Sequence, residues 1–196
     1  MNVTGLILAG GQGTRMGSVD KGLQTLAGQP MVQHVIQRLQ PQVQQLHINA
    51  NQNQAVYAEW GFPVWADAMP DFAGPLAGLQ TGLMHCTTPY LVTVPCDSPY
   101  LPLDLVARLA QALQAQEADL AVAVTGVGVQ RQPHPVFCLA KASLLPHLTQ
   151  YLESGGRKMG AWHATLRVAT VHFEDEAAFR NINTLDELQQ SQSLAG

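Results

Sequence analysis

Charged residues are scarce in this chain of 196 residues: 14 are acidic and 10 are basic, and together they make up only 12% of the sequence. Globular domains usually carry about 25%. Because affinity for a phosphate backbone comes from clustered lysines and arginines, this composition and the net charge of −4 argue against a nucleic-acid-binding protein. They leave room for a local pocket that holds a few phosphates.

Cysteines and long apolar stretches are also few. The three cysteines, Cys86, Cys96 and Cys138, cannot all pair within one chain, and their spacing lacks the CxxC pattern of zinc sites. We therefore expect reduced thiols and a cytoplasmic protein. The first residues have neither the basic start nor the apolar length of a signal peptide. Proline, glycine and polar residues interrupt the longest uncharged stretch, so no membrane-spanning segment is expected.

Short apolar runs alternate with amphipathic segments along the whole chain. Strands are predicted at residues 3–9, 43–50, 62–66, 90–94, 119–124, 135–139 and 167–173. Helices are predicted at residues 30–39, 53–60, 74–86, 103–116, 141–153 and 185–190. This alternation is typical of βαβ units, so it predicts an α/β fold of three α/β/α layers around a mostly parallel sheet. The length suits a single domain over residues 1–196.

The most informative segment is LAGGQGTRMGSVDKGL, residues 8–23, which has four glycines within residues 10–17, Arg15 among them and Lys21 just beyond. Glycines bring backbone N–H groups close to an anion, and the two cations add charge for phosphates. The Walker A pattern fails at Arg15 or Leu23, depending on the starting glycine, and the dinucleotide fingerprint fails at Met16. A glycine turn without a ligand is the alternative, but the flanking cations favour phosphate binding.

Asp97 follows a strongly apolar predicted strand in the segment VPCDSPYLP, residues 94–102. A carboxylate at the carboxyl edge of an open α/β sheet lies where such folds bind ligands, and it can hold Mg²⁺ together with phosphate oxygens and water. Asp97 could equally cap the helix that begins near Leu103. Asn49 and Asp67 also end predicted strands, so one site could gather all three side chains beside the glycine loop.

Two later segments combine glycines or amides with cations. Residues 155–158 (GGRK) form either an anion contact or the end of a helix. Residues 180–184 (RNINT) either contact a ligand or cap the last helix. The histidines are scattered without metal-ligand spacing, and no Ser/His/Asp arrangement stands out.

Taken together, LAGGQGTRMG, DKGL, GPLAGL, VPCDSPYLP and RNINTLDEL resemble the molybdenum cofactor guanylyltransferase family, over residues 5 to about 188. The glycine loop alone is shared with sugar-nucleotide pyrophosphorylases and cytidylyltransferases. The sugar enzymes tend to carry proline before the lysine, where this chain has Asp20, and some add a hexapeptide-repeat domain that this chain lacks. Both differences count against a sugar substrate.

The resemblance implies a nucleotidyltransferase of Rossmann-like architecture that transfers GMP from GTP to the terminal phosphate of molybdopterin. It implies Mg²⁺ as the cofactor, held by Asp97, and catalytic roles for Arg15, Lys21 and Asp97. It also implies a nucleotide-binding part, about residues 1–100, and an acceptor-binding part, about residues 101–190. The implied GTP residues are Leu8, Ala9, Gly10, Lys21, Asn49, Asp67 and Asp97, and those for molybdopterin are Arg15, Gly78, Asn181 and Asn183.

Two other functions stay open at this point. One is a nucleotidyltransferase that uses CTP, or one that acts on a sugar phosphate. The other is a noncatalytic protein that binds the nucleotide or cofactor and delivers it. The resemblance also suggests other molybdenum cofactor biosynthesis proteins or apo-molybdoenzymes as partners, whereas neither nucleic acid nor a membrane is expected as one.

Overall fold

The computed structural model describes residues 1–10, 20–69 and 74–182, and its central feature is a twisted sheet between two layers of helices. The strands are β1 (Val3–Leu8), β2 (Thr25–Leu26), β3 (Gln29–Pro30), β4 (Gln45–Asn49), β5 (Val64–Trp65), β6 (Tyr90–Pro95), β7 (Leu120–Thr125), β8 (Gln132–Lys141) and β9 (Val168–His172). Seven of them form the sheet in the order β5-β4-β1-β6-β8-β7-β9, and β2 pairs with β3 in a separate hairpin. The predicted α/β fold with a mostly parallel sheet is confirmed.

The helices divide between the two faces of the sheet. They are α1 (Met31–Leu39), α2 (Gln54–Ala58), α3 (Pro75–Met84), α4 (Leu105–Ala115), α5 (Leu145–Glu153) and α6 (Met159–His163). Side chains of α1, α2 and α4 pack with Ile7 of β1 in one core cluster, and those of α3, α5 and α6 pack with Leu6 and Leu8 in the other. Successive side chains of a strand point to opposite faces, so one buried strand supplies both cores.

The strand β8 is the exception to the parallel arrangement, because it runs antiparallel to both neighbours, β6 and β7. The reason is the short connection from β7 to β8, residues 126–131. A parallel partner would need a crossover of about a dozen residues or more, so a connection of this length can only make a hairpin. The reversal leaves β7 and β9 pointing the same way as β1, β4 and β6.

Some short elements and boundaries differ from those that the sequence pattern predicts. The β2–β3 hairpin and α6 were not predicted, and β8 is twice its predicted length. The helix predicted from residue 141 begins at Leu145, since the ladder of β8 extends to Lys141. The helix predicted at residues 185–190 lies outside the described residues. No helix of the described ranges combines the length and apolar character that crossing a bilayer requires.

Candidate active site

The carboxyl ends of four neighbouring parallel strands lie at one edge of the sheet. Leu8 of β1 is in register with Asn49 of β4 on one side and with Pro95 of β6 on the other, and Asn49 is in register with Trp65 of β5. The chain moves outward from β1 to β4 and β5, and then returns to place β6 on the opposite side of β1. Such a reversal of strand order opens a crevice at the carboxyl edge, where α/β proteins bind ligands.

A network of amides and one carboxylate lines the β4 side of this edge. Asn49, which is only 2% exposed, donates from Nδ2 to Asp67 Oδ1 at 2.8 Å. Asn51 donates from Nδ2 to Asp67 Oδ2 at 2.8 Å and to the carbonyl oxygen of Gly10 at 3.2 Å. The backbone N–H of Asp67 returns a hydrogen bond to Asn51 Oδ1 at 2.8 Å. These bonds hold the end of β1 and the segment after β5 against each other.

At two positions the backbone lies so close to this network that glycine is favoured over any residue with a side chain. A Cβ on Gly78 of α3 would overlap Asn49 Oδ1 and lie 2.7 Å from Leu8 Cδ2. A Cβ on Gly10 would lie 3.0 Å from both Asn49 Oδ1 and Asn51 Nδ2. The absence of side chains at these positions lets α3 and the end of β1 pack directly against Asn49 and Asn51. Leu8, Gly10, Asn49, Asp67 and Gly78 therefore surround one small region.

A second part of the edge carries the charges. Lys21 Nζ lies 3.3 Å from Asp97 Oδ2, and Asp97 is only 6% exposed. Burial raises the pKa of the Asp97 carboxyl above its ordinary value, and the Lys21 ammonium opposes that rise. The helix-cap alternative for Asp97 is wrong, because α4 begins after Asp104. Asp97 is instead a nearly buried carboxylate whose side chain faces a cation.

A polar brace positions Lys21. The carboxylate of the preceding residue, Asp20, accepts hydrogen bonds from the Gly22 N–H at 3.2 Å, from Tyr57 Oη at 2.6 Å and from Asn53 Nδ2 at 3.0 Å. Burial raises the pKa of the Tyr57 hydroxyl, which keeps it protonated as a donor. Gly22 packs so closely on Tyr57 Oη and Cys96 that no Cβ would fit. The first turn after the glycine loop is thereby fastened to α2 and to the residue before Asp97.

We expect Tyr57→Phe to lower kcat/KM for the nucleotide that the family resemblance implies about tenfold, because a lost hydrogen bond to a charged group is worth about 1.5–3 kcal/mol. The benzene ring keeps the buried packing, so the structure around Lys21 should loosen without unfolding. Steady-state kinetics and thermal unfolding measure the two effects. Tyr151→Phe is the matched control, since its hydroxyl bonds the Lys158 carbonyl on the other face of the sheet. If both variants had the same kcat/KM, Tyr57 would have no role in positioning Lys21.

The last described residues return to the charged part of the edge. The Ile182 N–H donates to the Asp97 carbonyl oxygen at 2.9 Å, and Ser98 Oγ donates to Asn181 Oδ1 at 2.6 Å. Asn181 also lines a cavity of about 580 Å³, whose walls come from the end of β7, the start of β8 and residues 176–181. Asn181 thus joins the charged part of the edge to an open space beyond it.

The structure brings most of the predicted site residues to this edge, in two groups. Leu8, Ala9, Gly10, Asn49 and Asp67 lie in the first group, and Lys21, Asp97 and Asn181 lie in the second. Gly78, which the resemblance assigned to molybdopterin, lies in the first group. Arg15 and Asn183 lie outside the described residues.

Three observations were not available from the sequence. Asn51 and Tyr57 hold the site through side-chain contacts, and their only local signal was the polar run NANQN after β4. Arg157 donates to the carbonyl oxygens of Leu152 and Gly156, which supports the helix-end interpretation of residues 155–158. Burial raises the pKa of the Cys96 thiol, in keeping with a packing role.

No group of three or more His, Cys, Asp or Glu that could hold a metal ion occurs within the described ranges.

Comparisons with known proteins agree with this geometry. The family model described as "MobA-like NTP transferase domain" matches residues 5–168. A molybdenum cofactor guanylyltransferase from Cupriavidus necator is 59% identical over 189 residues, covering 96% of this chain and 95% of that protein. One from Bordetella petrii is 58% identical over 189 residues, covering 96% of each.

Solved structures confirm the fold. Molybdopterin-guanine dinucleotide biosynthesis protein A from Archaeoglobus fulgidus superposes with a TM-score of 0.79 at 20% identity, covering 98% of both chains. The 2-C-methyl-D-erythritol 4-phosphate cytidylyltransferase from Thermus thermophilus gives 0.77 at 16% identity, covering 100% of this chain and 99% of that one.

Proposed function

The chain belongs to the MobA-like NTP transferase family and is a nucleotidyltransferase, and from this premise we propose that it transfers GMP from GTP to the terminal phosphate of molybdopterin. An oxygen of the acceptor phosphate attacks the α-phosphorus of GTP, and the bond from that phosphorus to the bridging oxygen of the β-phosphate breaks. The products are molybdopterin guanine dinucleotide and pyrophosphate. The observation that carries the proposal is the contact of the half-buried Lys21 with the nearly buried Asp97, at the same edge as the Asn49–Asp67 network and the cavity beside Asn181.

Guanine and ribose are assigned to the first region, between the end of β1 and α3. The backbone at the end of β1 is held there by close packing, because Gly10 lies against Asn49 and Asn51, and Gly78 lies against Asn49 and Leu8. Asn49 and Asp67 hold each other in place at 2.8 Å, so their polar groups are oriented before the nucleotide arrives. Preorganised groups of this kind lose little conformational entropy on binding.

The triphosphate is assigned to the second region, where Lys21 and Asp97 meet. The side chain of Asp97 fits a magnesium ion, because a nearly buried carboxylate favours a cation beside it and Mg²⁺ typically takes one or two protein carboxylates. Phosphate oxygens and water complete its shell. When bound, Mg²⁺ would neutralise charge that develops on the α-phosphate. Lys21 adds a second positive charge at the same place, held there by Asp20.

No general base is required in this proposal. The attacking group is a phosphate oxygen that is already ionised near neutral pH, so the protein has to position two anions and reduce their repulsion. The acceptor is assigned to the cavity beside Asn181, in the part of the chain that begins near residue 101, and the nucleotide to residues 1–100. Arg15 and Asn183, which the family resemblance places near the acceptor, remain part of the proposal.

Release of pyrophosphate tests the reaction directly. The protein is mixed with GTP and Mg²⁺, with and without molybdopterin, and we expect release only when the acceptor is present. Replacing GTP by CTP, ATP or UTP in the same assay tests the choice of base, and equal use of CTP would contradict the guanylyl assignment. Binding of both substrates without pyrophosphate release would instead indicate a delivery protein.

Location and partners follow from the proposed reaction. A cytoplasmic location remains a prediction, supported by three cysteines that are free in the structure. Apo-molybdoenzymes or other cofactor biosynthesis proteins would receive the product.

A further inference from the structure

The cavity beside Asn181 has the size and the mixture of side chains of a small-molecule site. Its volume of about 580 Å³ falls within the range usual for ligand pockets. Its lining residues are Thr125, Gln132, His134, Glu176, Ala177, Phe179, Arg180 and Asn181. They come from the carboxyl end of β7, the start of β8 and the segment after β9, so the cavity opens at the same edge of the sheet as Asp97.

One wall of the cavity is a rigid pair of rings. His134 stacks on Phe179, with centroids 4.7 Å apart and planes inclined by 19°. Phe137 and Phe173 contact Phe179 edge-on at 4.9 and 5.0 Å, which fixes its position. His134 Nε2 lies 2.8 Å from Thr125 Oγ1. A flat heterocycle would find here a preformed wall with few rotatable bonds to order.

Glu176 brings a negative charge to this wall. Its Oε1 lies near Gly126, at the end of β7, and no ion pair of its carboxylate occurs within the described residues. Burial lowers the pKa of His134, although Glu176 acts in the opposite direction. The imidazole is therefore mainly neutral at neutral pH and does not neutralise the carboxylate. Both oxygens of Glu176 remain available as acceptors for a ligand with N–H groups.

The position of the cavity relative to Asp97 indicates how the acceptor lies in the site. Asn181 lines the cavity and also receives the hydrogen bond of Ser98, the residue after Asp97. A molecule whose phosphate reaches Asp97 from this side would extend its other end past Asn181 towards Glu176. Molybdopterin has a phosphate at one end and a pterin ring system at the other, so its shape suits this path.

We propose that Glu176 recognises the pterin ring of the acceptor, by accepting hydrogen bonds from the ring N–H and the exocyclic amino group of its 2-amino-4-oxopyrimidine edge. This inference rests on the proposed function and adds a residue that determines specificity for the acceptor. Two parallel N–H donors match the two oxygens of one carboxylate, as an arginine fork does. Lumazine, in which a carbonyl replaces the amino group, would place an oxygen against Glu176 and would be rejected.

The test compares pterin and lumazine as competitors of molybdopterin in the pyrophosphate assay. For the unaltered protein we expect pterin to inhibit at a concentration at least about tenfold lower than lumazine, given the value of charge-assisted hydrogen bonds. Glu176→Gln, which keeps the shape but turns one acceptor into a donor, should abolish this preference. It should also raise KM for molybdopterin about tenfold or more and leave KM for GTP unchanged.

Glu174→Gln is the matched control, because it removes the same charge two residues away, where Glu174 pairs with Arg108 at 3.5 Å outside the cavity. It should keep the preference for pterin. If Glu176→Gln keeps it too, the inference is overturned. If the unaltered protein releases no pyrophosphate, the proposed function fails on its own, and quenching of pterin and lumazine fluorescence on binding still decides the role of Glu176.

Discussion

Asp97→Asn is expected to slow guanylyl transfer by about a hundredfold or more while the protein stays folded, because metal-assisted charge stabilisation is worth several kcal/mol. The substitution keeps the size and shape of the side chain of a residue that is only 6% exposed. It removes the charge that would hold Mg²⁺ and that faces Lys21 at 3.3 Å. Since burial already raises the pKa of the Asp97 carboxyl, a neutral amide is well tolerated there and thermal stability should not fall.

Pyrophosphate release at saturating GTP and Mg²⁺, together with thermal unfolding, measures this prediction. Asp104→Asn is the matched control, because Asp104 is an exposed acid just before α4 that pairs with Arg108 at 3.8 Å. It should be as active as the unaltered protein. A stable Asp97→Asn protein with full activity would show that the carboxylate takes no part in the reaction.

Lys21→Ala is expected to weaken GTP binding and transfer together, with kcat/KM falling by about a hundredfold. The ammonium faces the triphosphate before and during the reaction, so its loss should affect ground-state binding as well as the rate. The loss also removes the cation that lies 3.3 Å from Asp97. Calorimetric titration measures the dissociation constant for GTP. Initial rates of pyrophosphate release measure kcat and kcat/KM.

Lys141→Ala serves as the control for Lys21→Ala, because Lys141 pairs with Asp119 at 3.2 Å, away from this edge. The double variant K21A/D97N adds a further test. If the two side chains act as one unit, its rate should be close to that of the slower single variant rather than the product of both losses. Unchanged GTP affinity in Lys21→Ala would remove this residue from the site.

Much of the candidate site was predictable from where polar residues follow apolar strands. Asn49, Asp67 and Asp97 each come at or just after a predicted strand, and parallel strands deliver their carboxyl ends to one edge. The glycine loop had a local signal of its own, but residues 11–19 lie outside the described ranges, and the roles that the family resemblance implies stay predictions. These features depend on short-range pattern and on general rules of sheet topology, and both can be read from a single sequence.

The rest depends on tertiary contacts that leave no local pattern. The hydroxyl of Tyr57 donates a hydrogen bond to Asp20, which lies 37 positions earlier in the chain. No sequence pattern around either residue predicts this contact. The family resemblance assigns Gly78 to the pterin, and no local pattern indicates its close packing against Asn49 and Leu8. The wall formed by His134 and Phe179 joins a hairpin to a turn that follows β9. Such pairings are set by how helices and strands pack, which the hydrophobic pattern does not specify.

The hydrogen bonds from Ile182 to Asp97 and from Ser98 to Asn181 bear on the order in which this protein is made. The second joins residues 83 positions apart, so it forms only after nearly the whole described chain has left the ribosome. The strands β1, β4, β5 and β6 can pair much earlier, because synthesis proceeds at about 5–20 residues per second and early segments fold first. A growing chain could thus pair the strands that carry Leu8, Asn49 and Asp97 before Asn181 and Ile182 are made. The contacts that these last two residues make with Ser98 and Asp97 are therefore expected to form late in synthesis.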